Sequence, residues 1–143
     1  MSKPKLWVLF SLILLLPLIS CRPRPILPDL VVQNLNVGSI TVSCPGGSGT
    51  CVTTVTFTIA NTGVVSAGAF NVKITFDPNQ AVTVNLPVAG LVAGASQTFT
   101  VTSSPPGDNC FDPDCTICVT VDDGNAVTES DETNNQNCCT RRG

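Results

Sequence analysis

Histidine and tyrosine are absent from this chain, methionine and tryptophan occur once each, and charged residues make up only 12% of it. Without histidine there is no Ser-His-Asp or Cys-His nucleophile pair, no histidine metal site and no histidine pH switch. With no tyrosine, and with Trp7 confined to the extreme N-terminal stretch, the body of the chain has no Trp or Tyr on which a sugar ring would stack. Basic charge is equally scarce. From residue 25 to 140 Lys73 stands alone against all ten acids, a net of −9, and the four arginines sit at the ends as Arg22, Arg24, Arg141 and Arg142. Phosphate binding requires clustered Lys and Arg, so nucleic acid is excluded as a partner. A hydrophobic content of 43% with so little charge also excludes a chain disordered by its own repulsion.

What is present points outward from the cytoplasm. A chain of 143 residues has room for one ordinary domain and an appendage. Eight cysteines in that length suit disulfides, which persist in an oxidising compartment. Lys3 and Lys5 precede an uncharged stretch of 15 residues from Leu6 to Ser20. That is short of the roughly 20 a spanning helix needs and matches a signal peptide over residues 1–20. The stretch closes on Leu18-Ile19-Ser20-Cys21, which resembles the bacterial lipobox, so cleavage would fall before Cys21 and lipid would be attached to its thiol. An uncleaved anchor, with Cys21 an ordinary cysteine, is the other reading. In residues 21–28, Pro23, Pro25 and Pro28 remove backbone donors and favour polyproline II. At about 3.1 Å per residue this tether would hold the domain some ~22 Å from the lipid, the only membrane contact expected. The expected location is therefore export to the bacterial cell envelope, lipid-anchored, or to the extracellular space.

Beyond residue 29 the pattern is all-β, with short runs of β-branched and aromatic residues alternating in period two and no stretch keeping a helical period. Over 52–61, Val55, Phe57 and Ile59 face one way and Thr54, Thr56, Thr58 and Ala60 the other. Over 70–77, Phe70, Val72, Ile74 and Phe76 alternate with Asn71, Lys73, Thr75 and Asp77. Weaker strands are expected at 30–37, 82–86, 97–102, 116–122 and 134–140, about seven in all, the number of an immunoglobulin-like β-sandwich.

Pro28-Asp29-Leu30-Val31-Val32, the strand and turn from Val55 to Gly63, Leu91-Val92-Ala93-Gly94, and Val121 to Asn135 (VDDGNAVTESDETNN) follow one another in an order similar to that of the bacterial cell-adhesion-related domain, CARDB. The resemblance covers residues 29 to about 137, within a domain set at 29–140, and its most specific part is Glu129-Ser130-Asp131-Glu132-Thr133-Asn134-Asn135. It implies one copy of a seven-stranded sandwich displayed on the cell surface.

In such a sandwich the strand directions place Cys44, Cys51, Cys110 and Cys115 at one pole. The expected bridges are Cys44 with Cys51, Cys110 with Cys115, and Cys118 with Cys138 across the last hairpin, where Thr120 would face Gln136. Cys139 is left as a free thiol. Cys110, Cys115 and Cys118 also show the C-x4-C-x2-C spacing of plant-type iron–sulfur proteins. The export leader and the opposite facing of Cys115 and Cys118 on an alternating strand favour disulfides.

Eight of the ten acids fall between Asp108 and Glu132. Asp122, Asp123, Glu129, Asp131 and Glu132 would offer hard oxygens to Ca²⁺, as would Asp108, Asp112 and Asp114. Neither group matches a known calcium loop, since Val121 interrupts the EF-hand spacing before Asp123. The competing reading is a solvated turn whose Asp and Asn side chains bond their own backbone, with no metal and no cofactor. No enzyme is expected, because a glycosidase needs two carboxylates flanking a cleft and one small sandwich has little room for it.

These readings converge on a non-catalytic interaction or adhesion module on the envelope, binding a protein partner. The alternative is a structural subunit of a surface layer or filament that associates with itself. Mass spectrometry of the native protein is expected to find the N-terminus at Cys21 carrying lipid. An intact leader or an unmodified Cys21 thiol is the contrary result.

Overall fold

The computed structural model describes residues 26–46, 51–77, 82–103, 110 and 114–142. Cys21, Asp108 and Asp112 lie outside these residues.

The described chain builds two antiparallel four-stranded sheets from β1 (Leu30–Gln33), β2 (Ile40–Ser43), β3 (Val52–Asn61), β4 (Phe70–Phe76), β5 (Val82–Val88), β6 (Ser96–Thr102), β7 (Asp114–Val121) and β8 (Gln136–Arg142). In the first sheet β3 is central, with β6 along one side and β1 and β2 sharing the other; the second runs β5-β4-β7-β8. The faces follow the alternation of the sequence. Val55, Phe57 and Ile59 from β3 meet Val72, Ile74 and Phe76 from β4 and Ile117, Val119 and Val121 from β7, each at most 1% exposed. Phe57 stacks on Phe99 of β6 with ring centroids 5.8 Å apart.

The outer face of the first sheet is a threonine surface. Thr54 bonds Thr102 at 2.9 Å, Thr56 bonds Thr100 at 3.1 Å and Thr58 bonds Thr98 at 3.0 Å. These pairs lie directly opposite in register, where cross-strand hydroxyl bonds and β-branched contacts support the sheet.

The first strand departs from the expected span of 30–37. It stops at Gln33, because Asn34 takes a positive φ of 58°, a region that Asn tolerates better than most residues. A 3-10 turn at Val37–Ser39 follows, and the chain resumes as β2 along the same side of β3. Eight strands result, two of them halves of one broken edge.

Register also fixes what lies at each end. Leu30 faces Asn61, Phe70 faces Val88, Ala60 faces Ser96 and Val72 faces Val121. Residues 26–29 and the loops 62–69, 89–95 and 122–135 therefore gather at one end, the N-terminal pole. Ser43 opposite Val52 and Asp114 opposite Arg142 mark the distal pole. β1 packs against β7 and β8, and Arg141 of β8 donates to the Ile40 carbonyl at 2.7 Å, closing that side of the sandwich. Removing the Phe57 ring should empty the centre of the core. Phe57→Ala is expected to lower unfolding free energy by about 3–5 kcal/mol in denaturant titration, whereas a loss below about 1 kcal/mol would contradict this packing.

Candidate functional site: the acidic loop of the N-terminal pole

The loop from β7 to β8 carries five of the acids, and four of them, Asp122, Glu129, Asp131 and Glu132, accept from backbone donors. Asp122, 1% exposed and at a positive φ of 50°, accepts from Ala126 N–H through Oδ1 and from Val127 N–H through Oδ2, both at 2.9 Å. Glu132 accepts from Glu129 N–H at 2.8 Å, and Asp131 accepts from the Thr133 backbone and hydroxyl at 2.9 and 2.6 Å. Such Asx-type bonds are what this composition favours in a tight loop.

Glu129 reaches furthest. Its side chain is 5% exposed; Oε2 accepts from the backbone N–H of Leu30, 99 residues away in sequence, and Oε1 accepts from Asn135 Nδ2 at 2.8 Å. Leu30 opens β1 in the first sheet, whereas Glu129 and Asn135 belong to the connection in the second. The carboxylate therefore ties one sheet to the other. Its neighbours add to the tie: Asn134 Nδ2 donates to Asp29 Oδ1 at 2.8 Å and Ser130 N–H to the Pro28 carbonyl at 2.9 Å, while Thr62 Oγ1, on the same sheet as Asp29, donates to its Oδ2 at 2.8 Å. Gly63 lets residues 27–29 lie this close, since a Cβ there would come within 2.5 Å of the Leu27 carbonyl oxygen and 2.6 Å of Asp29 N.

Several of the acids offered to Ca²⁺ are thus already engaged. Asp122 and Glu129 are committed to backbone and amide donors, while Asp123 lies 3.5 Å from Lys73 Nζ on the strand beside it. Asp114 is exposed at the distal pole. Among the described residues no three His, Cys, Asp or Glu side chains gather to hold a metal ion. A polar cleft of about 260 Å³ lies over the loop, and Asp122, Asp123 and Glu132 line it together with Thr120 and Asn135. Sequence reasoning left Leu30, Asn134 and Asn135 out of this set. Their partners lie far away along the chain, and only the shared pole brings them together.

The described cysteines occupy the distal pole and the interior of β7 and β8. Cys44 is bonded to Cys51 and Cys110 to Cys115 at the distal pole, and Cys118 to Cys138, directly opposite in register, on the outer face of the second sheet. The thiols of the iron–sulfur spacing are spent in these bridges. Cys139 is free and half-buried, with its side chain packed against the core.

Two facing antiparallel sheets define an immunoglobulin-like β-sandwich. Similarity is more specific than architecture: a CARDB family model matches residues 27–138. The chain belongs to the CARDB family, a family of non-enzymatic surface domains. The CARDB domain of the PF1109 protein from Pyrococcus furiosus, crystallised in complex with di-metal ions, is 20% identical over 82% of this chain and 94% of its own, with a TM-score of 0.59. Its solution structure gives 22% identity, coverages of 80% and 91%, and a TM-score of 0.52. A domain of a candidate cell-surface protein from Methanosarcina acetivorans is 26% identical over 81% of this chain and 91% of its own, at a TM-score of 0.52. No curated protein sequence matches significantly.

Burial raises the Glu129 carboxyl above its ordinary value of 4.5; the bonds from Leu30 and Asn135 oppose this, and the charges of Glu132 and Asp122 add to it. A raised folded value means that the stabilising contribution is complete below about pH 4.5 and is lost as pH rises through the folded value. Glu129→Gln should flatten that part of the stability profile. Glu129→Ala should cost about 3 kcal/mol in denaturant titration at neutral pH by leaving the Leu30 N–H and Asn135 amide unpartnered. A cost under about 0.5 kcal/mol would mean the bond to Leu30 carries no load.

Proposed function

We propose that this CARDB domain is a non-catalytic interaction module displayed outside the cytoplasm, lipid-anchored through Cys21, that binds a protein partner. The CARDB match over residues 27–138 carries the reading, and the cell-surface description of the Methanosarcina relative supports it. Three disulfides suit an oxidising location. The loop carboxylates on which a hydrolytic or metal-dependent role would draw are largely committed to internal donors, so the loop serves architecture and needs no divalent cation for its order.

Recognition then falls to exposed loops and strand edges. Among the described residues β5 and β6 each pair with one strand, at the edges away from the β1–β8 closure. Pro87 interrupts the donors of β5, whereas β6 carries an unbroken run from Ser96 to Thr102 beside the threonine surface. Where the first strand breaks, a cleft of about 390 Å³ is lined by Asn34, Asn36, Thr41, Thr56 and Thr58, hydroxyl and amide groups without charge. The net of −9 between residues 25 and 140 favours a partner with a basic patch. Self-association through the spare cysteine is the weaker reading, because Cys139 packs against the core.

A pulldown with the full chain against envelope extract should recover a protein at low salt and less of it at high salt, where the attraction is screened. Recovery of polysaccharide alone, or of nothing, would reject the proposal.

A further inference from the structure

The exposed large apolar side chains of the described residues are not scattered. Ile26 is 76% exposed, Val64 71%, Val92 63% and Val65 38%; the remaining one, Val37 at 51%, lies midway along the first sheet's broken edge. The first four share the N-terminal pole. Val64 N–H donates to the Leu27 carbonyl at 3.4 Å, and Ile26 and Val64 line one cleft of about 250 Å³ with Leu27, Asp29, Thr62, Gly63 and Ser130. Asn61 Nδ2 donates both to the Val65 carbonyl at 2.8 Å and to the Leu91 carbonyl at 3.0 Å, which brings the 64–65 turn beside the 91–92 turn. A monomeric soluble domain rarely groups its exposed aliphatics in this way without a surface to cover them.

The chain itself says which surface is near. In place of a membrane contact through the N-terminal lipid alone, we propose that the N-terminal pole rests on the lipid bilayer, with Ile26, Val64, Val65 and Val92 at the boundary between headgroups and acyl chains. This rests on the reading that the N-terminal stretch attaches the chain to a membrane, and it holds whether Cys21 carries lipid or the leader is retained. In either case the membrane boundary lies at or before Cys21, five residues ahead of Ile26, a span of at most about 18 Å fully extended. The last part of that path is fixed, since residues 27–29 are bonded to Thr62, Val64 and Ser130. Attachment at so short a distance raises the effective concentration of the pole at the lipid, so a few aliphatic side chains suffice to orient the domain.

Charge at this pole does not forbid the contact. Asp122 and Glu129 are buried, Asp29 is bonded to Thr62 and Asn134, and Asp123 lies against Lys73. Asp131 and Glu132 remain exposed and favour a zwitterionic surface over an anionic one. The contact is apolar in origin, and salt should leave it unchanged. The sandwich would then stand with its distal pole, carrying the Cys44–Cys51 and Cys110–Cys115 bridges, away from the membrane.

The absence of tryptophan beyond Trp7 supplies the probe. In a Trp7→Phe background, full-length chains bearing Val92→Trp, Val64→Trp or Thr140→Trp are reconstituted in phosphatidylcholine vesicles with brominated acyl chains. Flotation of the vesicles reports attachment separately. We expect at least twofold quenching with blue-shifted emission for Val92→Trp and Val64→Trp, little change for Thr140→Trp, and the same result in high salt. Adding Val64→Ser and Val65→Ser to Val92→Trp should reduce its quenching by half or more, which separates the patch from the lipid preference of the introduced indole. Chains that float with the vesicles yet show equal, weak quenching at all three positions overturn the proposal. Chains that fail to float refute the anchoring reading, and this inference with it.

Discussion

The carboxylate of Glu129 is the point on which the N-terminal half of this sandwich depends. Strand pairing holds each sheet together, but pairing within sheets does not set how one end of the first sheet sits over the second. The bond from Leu30 N–H to Glu129 supplies that link, and the bond from Asn135 holds the carboxylate in place. A backbone N–H buried at the start of an edge strand needs an acceptor, and leaving it without one costs more than an average hydrogen bond contributes. The chain solves this with a carboxylate whose burial raises its proton affinity, while the bonds from Leu30 and Asn135 favour its charged form and oppose that rise.

From that link the rest of the pole follows. With β1 fixed under the β7–β8 connection, Asp29 meets Thr62 and Asn134, Gly63 lets the chain pass, and residues 26–28 are directed out of the pole beside Val64. The acidic loop is thus a piece of architecture that fixes where the polypeptide leaves the domain. The outward face of the first sheet is uncharged and hydroxyl-rich, with the paired threonines of β3 and β6 and the polar cleft at the break in the first strand.

Much of this was legible in the amino-acid sequence, and the divisions are physical ones. The alternation of Val55, Phe57 and Ile59 against Thr54, Thr56 and Thr58 shows both faces of β3, because a strand buried on one side must repeat with period two. Lys73 is readable as outward for the same reason. The break after Gln33 was not, although Asn34 and Asn36 are the residues that make it: Asn tolerates both extended and left-handed backbone, and only the pairing with β3 decides between them. The acids of the loop were legible as a cluster but not as a latch. Composition alone equally suits a cation site or a solvated turn, while the distinguishing bond joins residues 30 and 129 and requires the fold before it can be seen.

Amide hydrogen exchange of the full chain, measured residue by residue with a chelator and again with Ca²⁺, tests the latch most directly. With the chelator present, Leu30, Ala126 and Val127 should exchange as slowly as the core amides of β3 and β4, and added Ca²⁺ should change nothing. Rapid exchange at Leu30, or protection of these three amides that develops only with Ca²⁺, would contradict the account, because the loop would then be ordered by a cation and not by its own carboxylates.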